Sequence, residues 1–305
     1  MITTITLNPS VDRRYIVDDF KVGSVFKTSQ YEATAGGKGL NVSRVVASYN
    51  EQVLATGLIG GKSGEFIKGR LQEVGVPHQF VPIKEETRSC IAIVGNNYQT
   101  EILETGPTVT ESEIGTFLVT YQRLVQTSSI IVASGSIPNG VPFDIYSVLI
   151  KKARDHNVPF FLDTSGLALG EAIQAGPTLI KPNLDELASL VGFRLTEEED
   201  IIQAAKHLSM SGIEYVVVSL GADGVIAFHH DQVYKLTVPK VKVINPVGSG
   251  DSMMAGLAIA FQRQYNFSDS LRLATAFGTA NAMAASTAHV DKNIVNQLQK
   301  NILVQ

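Results

Sequence analysis

The sequence predicts an α/β fold in which a mainly parallel sheet is covered by helices on both faces. Short β-branched runs alternate with amphipathic stretches whose apolar residues are three and four apart, which is typical of βαβ units. The strand candidates are 53–56, 129–133, 160–163, 178–181 and 215–219, and helical patterns include 143–153 and 201–210. In such sheets ligands bind beyond the carboxyl ends of the strands. Functional residues are therefore expected in the turns that follow these strands.

Two early regions, 12–35 and 79–105, interrupt the alternation because neither has helical periodicity. Both are typical of strands with turns, and the segments 92–94 and 100–103 flank Gly95-Asn96-Asn97 as in a β-hairpin. We expect the two regions to form a small sheet over a single domain that spans 1–305, as a lid that excludes water. The alternative is extra strands at the sheet edge with no moving part. A further hairpin is predicted at 224–236.

Composition and charge exclude several classes of function. The 305 residues are 44% hydrophobic, enough for a large core, and a net charge of -4 argues against nucleic acid as the main partner. The single cysteine, Cys90, cannot form a disulfide within the chain, which fits a reducing cytosol. The N-terminus is predicted to be a strand rather than a signal peptide, and no apolar run approaches the length of a membrane span. The spacing of the six histidines gives no support to a zinc enzyme. We expect a cytoplasmic protein with no membrane partner.

The segment 245–251 carries the strongest chemical signal. It follows a β-branched run at 241–244, predicted to be a strand, and precedes a helical pattern at 253–260. Glycines at a helix start leave backbone N–H groups pointing at one spot, and the helix dipole favours an anion there, often a phosphate. Asp251 lies among those N–H groups, where its carboxylate could take a proton from a hydroxyl, as phosphoryl transfer requires. The alternative is a glycine turn with an N-capping Asp; no Walker A lysine follows.

A second glycine cluster at 36–39 opens a predicted helix, where backbone can approach a ligand closely. Lys38 and Asn41 in that helix offer donors to hydroxyls or phosphate. Arg88, in the predicted lid, places a guanidinium where it suits a phosphate already present on the substrate. The alternative for Arg88 is a surface charge.

Three further motifs follow predicted strands. Ser136 is a hydroxyl beyond the strand at 129–133, and the loop 219–224 could receive phosphate. Asn183 and Glu186 lie three apart on a first helical turn, a spacing that suits a water-mediated hold on Mg²⁺. The alternatives are a turn hydroxyl and an ordinary helix start. The joint presence of all these motifs at strand ends favours a functional site.

The segments 36–41 and 245–251 resemble the two signatures of the ribokinase-like (PfkB) carbohydrate kinases, and the motifs between them follow that family's order over nearly the whole chain. The opening 6–12 resembles the phosphosugar branch, which contains tagatose-6-phosphate kinases and 1-phosphofructokinases. The segments 86–93, 100–107 and 245–247 are more similar to the former. Many members have Asp-Thr where this chain has Asn245-Pro246, so monovalent-cation effects are not carried over.

The resemblance implies a ribokinase-like three-layer sandwich with a small β-sheet lid, ATP and Mg²⁺ as cofactors, and a homodimer joined through the lids. It implies that Asp251 is the general base, in an anion hole made by Gly248, Ser249 and Gly250, with Mg²⁺ positioned by Asn183 and Glu186. Substrate would be held by Asp12, Gly37, Lys38, Asn41, Arg88 and Ser136, and Lys27 is where some members send a basic residue into the neighbouring subunit. The nucleotide would contact Ser219, Gly221, Gly224, Gly278 and Asn281.

The function that follows is ATP-dependent phosphorylation of a ketohexose phosphate, with tagatose 6-phosphate converted to tagatose 1,6-bisphosphate as the leading reaction. Fructose 1-phosphate and fructose 6-phosphate are the alternative substrates. A non-catalytic sugar-phosphate sensor on the same fold would be marked by loss of the base, and Asp251 is present. A dehydrogenase is disfavoured because neither glycine cluster has the Gly-x-Gly-x-x-Gly pattern after the first strand.

Overall fold

The computed structural model describes residues 1–95 and 98–305. The strands of this part of the chain are β1 (Ile2–Thr6), β2 (Ser10–Ile16), β3 (Tyr31–Gly36), β4 (Val53–Gly60), β5 (His78–Ile83), β6 (Arg88–Val94), β7 (Gln99–Leu103), β8 (Ile130–Ser134), β9 (Phe160–Asp163), β10 (Leu179–Ile180), β11 (Tyr215–Ser219), β12 (Val225–His229), β13 (Gln232–Thr237) and β14 (Leu303–Val304). Its α-helices are α1 (Lys38–Ser48), α2 (Gly61–Glu73), α3 (Glu111–Val125), α4 (Ile145–Asp155), α5 (Gly166–Ile173), α6 (Leu184–Val191), α7 (Glu198–Met210), α8 (Ser249–Gln262), α9 (Phe267–Met283) and α10 (Lys292–Asn301).

The large sheet has the strand order β14-β13-β12-β11-β10-β9-β8-β1-β4-β5. Neighbours from β11 to β5 are parallel, and only the β11–β14 end is antiparallel among the described strands. The mainly parallel sheet and the hairpin predicted at 224–236 are thus confirmed. The carboxyl ends of parallel strands lie at one edge of the sheet. The turns that follow β1, β8, β9, β10 and β11 are therefore close together.

Two hydrophobic clusters cover the two faces of this sheet. In β8, Ile130 and Val132 belong to the cluster under α1, α2, α8, α9 and α10. Ile131 and Ala133 belong to the opposite cluster, under α3 to α7. Successive strand residues point to opposite faces, so a run that is apolar at every position is buried from both sides. The three-layer sandwich is confirmed.

The small sheet has the order β3-β2-β6-β7, in which β2 pairs antiparallel with β3 and parallel with β6, and β6 pairs antiparallel with β7. The prediction of a separate small sheet is confirmed. The predicted second region, 79–105, begins too early, because residues 78–83 form β5, which pairs with β4 in the large sheet. The pattern of a short apolar strand does not show which sheet it joins. Two residues of the predicted 95–97 turn, Asn96 and Asn97, lie outside the described residues.

The strand predicted at 241–244 is wrong. That segment forms no strand, and Val243 and Ile244 are more than half exposed. Its β-branched residues favour extended backbone, but β13, the preceding strand, already has β12 and β14 on its two sides. The segment instead lies against the end of α9, where the N–H groups of Ile244 and Asn245 donate to the carbonyl of Ala282.

Within residues 1–95 and 98–305, no helix combines the length and apolar character needed to cross a bilayer.

Candidate active site

A cavity of about 600 Å³ lies where the carboxyl ends of the large sheet face the small sheet. Strand-end residues Thr6, Asp163, Lys181 and Ser219 line it, as does the first turn of α8. A second cavity of about 640 Å³ lies between α5, α6 and α7, but its described lining contains no carboxylate. The first cavity is therefore the candidate active site.

The structure brings most of the predicted site residues to this cavity. Its lining includes Asp12, Gly37, Lys38, Asn41, Arg88, Ser136, Asn183, Glu186, Ser219, Gly248, Gly250 and Asp251. The predicted residues that fall outside its described lining are Lys27, Ser249, Gly221, Gly224, Gly278 and Asn281. These residues are far apart in the sequence. They meet in one cavity because the carboxyl ends of the parallel strands lie at the same edge of the sheet, as predicted.

Asp251 lies buried at the start of α8, with one carboxylate oxygen 2.7 Å from the Nδ2 of Asn41. The amide of Asn41 is held in this orientation because its Oδ1 accepts a hydrogen bond of 2.6 Å from the guanidinium of Arg44. Burial raises the pKa of Asp251 to about 6 and the charge of Asp163 adds to the rise, against the Asn41 hydrogen bond and nearby lysines. A carboxylate with this pKa can take a proton near neutral pH.

The first turn of α8 presents an anion site, though not with the predicted set of donors. The N–H groups of Gly248, Gly250 and Asp251 have no protein acceptor in the described chain. The N–H of Ser249 instead donates to the carbonyl of Pro246 at 3.2 Å, which takes Ser249 out of the anion hole. The first N–H groups of a helix have no partner within the helix, and here the N–H of Asp251 replaces that of Ser249.

Asn281, predicted to bind the nucleotide, lies behind the turn before α8 and outside the described lining of the cavity. It is fully buried in α9, and its Nδ2 donates to the carbonyl of Val247 and the hydroxyl of Ser249, while its Oδ1 accepts from the N–H of Ala288. These bonds hold the turn before α8, in which Gly248 has a left-handed φ of 82° that favours glycine. Asn281 therefore stabilises the backbone conformation of the turn that carries the free N–H groups.

Asp163 pairs with two lysines at the centre of the cavity. Its carboxylate lies 3.0 Å from the Nζ of Lys38 and 3.1 Å from that of Lys181. Burial opposes the charge of Asp163, but the two ammonium groups outweigh it and hold its pKa below the ordinary value. A Cβ placed on Gly250 would lie 3.2 Å from the Lys181 Nζ, so this buried ammonium is next to the anion site.

Sequence reasoning assigned no role to Asp163 or Lys181. The available signal was a charged residue at the end of an apolar strand, since Asp163 is the last residue of β9 and Lys181 follows β10. Charged side chains are almost never fully buried unless they are paired. A charged residue at the end of a buried strand therefore indicates an ion pair or a functional site.

Arg88 projects from β6 into the cavity but is already partly engaged. Its guanidinium donates to the carbonyl of Asn8 through Nε and one terminal nitrogen, and to the carbonyl of Glu104 through the other. Three of its five N–H groups are thus used, which leaves two for an anionic ligand. The backbone bonds fix the position of the guanidinium.

Asp12 faces the same cavity from β2, and burial raises its pKa. Its carboxylate accepts a 2.6 Å hydrogen bond from the hydroxyl of Ser10. The carboxylate lies against Gly36, where a Cβ would come within 2.0 Å of the Asp12 Cγ. The first glycine of the 36–39 cluster is therefore needed to make room for Asp12.

Asn183 and Glu186 form a capping box at the start of α6. The Asn183 Oδ1 accepts from the N–H of Glu186 at 2.8 Å, and the Glu186 carboxylate accepts from the N–H of Asn183 at 2.9 Å. In the structure both side chains thus act as caps at the start of α6, which is the alternative given above to a role in binding Mg²⁺. The second Glu186 oxygen points into the cavity, 3.8 Å from the Lys38 Nζ.

The remaining predicted residues have other surroundings. Lys27 is exposed, and Gly221 lies in an exposed turn after β11. A Cβ on Gly224 would lie 2.0 Å from the carbonyl oxygen of Leu236, and one on Gly278 would lie 3.1 Å from that of Ser249. These two glycines permit close packing of the β12–β13 hairpin and of α8 on α9.

The chain is similar to known carbohydrate kinases over nearly its whole length. The family model described as "pfkB family carbohydrate kinase" matches residues 3–293. Tagatose-6-phosphate kinase of Staphylococcus epidermidis is 40% identical over 307 residues, which cover 100% of this chain and 99% of that protein.

Among solved structures, phosphofructokinase-2 of Escherichia coli in complex with potassium is similar with a TM-score of 0.92 and 28% identity, over 98% of each chain. A Thermotoga maritima protein described as a possible 1-phosphofructokinase has a TM-score of 0.93 and 27% identity, over 100% of this chain and 99% of that one. This chain is a sugar-phosphate kinase and belongs to the pfkB family of carbohydrate kinases, whose phosphate donor is ATP.

Proposed function

We propose that this enzyme transfers the γ-phosphate of ATP to the C1 hydroxyl of tagatose 6-phosphate, with Asp251 as general base. The observation that carries the proposal is the buried Asp251 carboxylate, whose pKa of about 6 is matched to proton transfer, beside the free N–H groups at the start of α8. The 40% identity to a relative named tagatose-6-phosphate kinase supports this choice of sugar.

In the proposed mechanism, Asp251 takes the proton as the sugar hydroxyl attacks the γ-phosphorus, and the bond from that phosphorus to the β–γ bridging oxygen breaks, which releases ADP. The negative charge on the transferred group meets the N–H groups of Gly248, Gly250 and Asp251, with the ammonium of Lys181 beside them. Positioned donors of this kind stabilise charge in the transition state without reorganisation during the step. Asn41 and Arg44 hold the base in place.

Mg²⁺ fits this site through water rather than by direct coordination. Asn183 Oδ1 and one Glu186 oxygen are used in the capping box, so of this pair only the second Glu186 oxygen is left for a ligand. Mg²⁺ keeps several waters and is often bound through one or two carboxylates plus substrate phosphates. We propose that Glu186 holds a hydrated Mg²⁺, which when bound would neutralise charge on the ATP phosphates.

The substrate preference is tested by ADP release with tagatose 6-phosphate, fructose 6-phosphate, fructose 1-phosphate and the unphosphorylated sugars. We expect the highest kcat/KM for tagatose 6-phosphate, with measurable activity on fructose 6-phosphate, because the two differ only in the orientation of the C4 hydroxyl. A missed hydrogen bond costs only about 0.5–1.5 kcal/mol when water can take the place of the lost partner. A highest kcat/KM for fructose 1-phosphate would show a 1-phosphofructokinase instead.

We propose that Arg88 binds the phosphate already on the sugar. Arg88→Ala should raise the KM for the sugar phosphate about 10–100-fold, since a charge-assisted contact contributes about 1.5–3 kcal/mol in ground and transition states alike. Steady-state kinetics with each substrate varied in turn checks this. The KM for ATP serves as the internal control and should be unchanged; a rise confined to ATP would place Arg88 on the nucleotide side.

The pH dependence follows from the raised pKa of Asp251. The base works ionised, so kcat/KM should fall as pH drops below about 6. A sugar phosphate also titrates near this pH, with a second pKa of about 6. The Lys38→Met variant distinguishes the titration of Asp251 from that of the substrate phosphate. The positive charge of Lys38 lowers the pKa of Asp251, so its removal should shift the acid limb, the low-pH fall of kcat/KM, to higher pH. The pKa of the free substrate is the same for both enzymes.

The matched control for this pH profile is Lys206→Met, at an exposed position of α7 outside the active-site cavity. It should leave the acid limb in place. An acid limb that is the same in wild type and Lys38→Met would mean that it reports the substrate rather than Asp251.

We propose that two copies pair through the small sheets. The face away from the cavity carries Tyr15, Tyr31, Ile93 and Ile102, of which Tyr31 is 64% and Ile102 57% exposed. Exposed strand edges and apolar faces favour pairing, and E. coli phosphofructokinase-2 has a tetrameric form. Light scattering at micromolar concentration should give a dimer for the wild type and a shift towards monomer for Ile102→Lys. A monomeric wild type would contradict the proposal.

A further inference from the structure

Two histidines and a glutamate meet at the end of β11 that is remote from the active site. Glu214 precedes β11, His229 ends the antiparallel neighbour β12, and His230 follows it. One ligand atom from each of the three side chains lies within 4.8 Å of the other two. Ser219, at the opposite end of β11, lines the active-site cavity. A strand of this length separates the cluster from that cavity by about 13 Å, at roughly 3.3 Å per residue.

The imidazole of His229 is held firmly in this cluster. Its ring stacks on that of Tyr215 with centroids 4.1 Å apart, and the ring of Phe267 lies 5.3 Å away. Its Nε2 atom is buried and has no hydrogen-bond partner in the described chain, with a Glu214 carboxylate oxygen 3.7 Å away. Buried polar atoms are nearly always hydrogen-bonded, so this nitrogen is available to another ligand.

The backbone at His230 brings the second imidazole to the same place. His230 follows β12 and begins the two-residue turn to β13, across which His229 pairs with Gln232. Its left-handed φ of 53° is typical of such a tight hairpin turn. The turn places the ring centroid of His230 4.0 Å from that of His229, so the two imidazoles lie side by side.

We propose that Glu214, His229 and His230 form a binding site for a divalent transition-metal ion of the Zn²⁺ type. Two imidazoles and a carboxylate are a known zinc ligand set, with water in the open position. Ligand atoms around tetrahedral zinc lie roughly 3.4 Å apart, given bonds of about 2.1 Å. The exposed side chains of Glu214 and His230 can rotate to close the remaining distance.

The three side chains come from two neighbouring strands, since Tyr215, which follows Glu214, pairs with His229. An ion at this position would join the start of β11 to the end of β12, and it would stabilise the folded chain if it binds the folded state more tightly than the unfolded one.

The test is calorimetric titration of ZnCl₂ into the chelator-treated full-length protein, together with Tm measurements with and without Zn²⁺. We expect the wild type to bind one ion in this site and its Tm to rise by at least about 2 °C at saturation. His230→Asn and Glu214→Gln should each weaken this binding at least about tenfold, since even outer-shell partners of a metal contribute that much. Asn tolerates the left-handed backbone and Gln keeps the shape of Glu, so both variants should fold.

The matched control is His207→Asn, at an exposed histidine of α7 outside the cluster, which should bind Zn²⁺ as the wild type does. Absence of saturable binding by the wild type would overturn the proposal. So would binding by His230→Asn with wild-type affinity, or a loss in His207→Asn equal to that in His230→Asn. ATP turnover by the wild type in Mg²⁺ should be the same before and after chelator treatment and dialysis, which distinguishes a structural ion from one used in phosphoryl transfer.

Discussion

Asp251→Asn is expected to lower kcat by at least about 100-fold, with little change in the affinity for sugar phosphate or ATP. The amide keeps the shape of the carboxylate and can still accept the hydrogen bond from Asn41, but it cannot take a proton from the sugar hydroxyl. General-base assistance contributes about 10²–10⁴-fold. Steady-state kinetics, with ligand affinities from calorimetry, measures the two effects separately.

Asp12→Asn is the matched control, because it makes the same carboxylate-to-amide change in the same cavity. We expect that variant to act chiefly on the KM for the sugar phosphate, since Asp12 is proposed to hold substrate. A kcat for Asp251→Asn above roughly a tenth of the wild-type value would contradict the assignment of the base.

The same Asp251→Asn variant should be more stable than the wild type at pH 8. The folded-state pKa of about 6 lies above the ordinary aspartate pKa of about 3.9, so the ionised carboxylate opposes folding by roughly 3 kcal/mol above pH 6. This penalty disappears below about pH 4, where the group is protonated in both states. Denaturant unfolding at pH 8 and pH 4 should therefore show a stabilisation at the higher pH only.

Asp163→Asn is expected to lower the free energy of unfolding by about 3–5 kcal/mol. The substitution leaves the ammonium of Lys181, only 4% exposed, without its counterion, and removing one partner of a buried pair is strongly destabilising. Urea denaturation monitored by circular dichroism measures the change. Activity should fall as well, since Lys38 and Lys181 both lose the carboxylate that positions them.

Asp163→Asn/Lys181→Met is the control that separates charge from packing. Removal of both charges should recover part of the lost stability, because no unpaired buried ammonium remains. Lys38→Met should cost less than Asp163→Asn, since the Lys38 side chain is 41% exposed and Asp163 keeps its bond to Lys181. Additive losses in the double variant would mean that the ion pair is not the source of the destabilisation.

The amino-acid sequence by itself determined the local features of this protein. Strand–helix alternation predicted the mainly parallel sheet, and the glycines at 36–39 and 248–250 predicted two helix starts beside a ligand. These signals are local, because they depend on backbone preferences and on side-chain periodicity within a few residues. They also carried the resemblance to the PfkB kinases, which the family comparison confirmed.

The tertiary structure decided which side chains meet. Asn41 and Asp251 are 210 residues apart in sequence and Lys38 and Asp163 are 125 apart, so no local pattern could pair them. For the same reason the sequence placed β5 in the wrong sheet, because strand pairing depends on distant partners. Histidine spacing likewise gave no sign of the cluster proposed to bind a metal, since Glu214 reaches His229 only through the pairing of β11 with β12. Propensities are local, whereas pairing and burial are set by the whole fold.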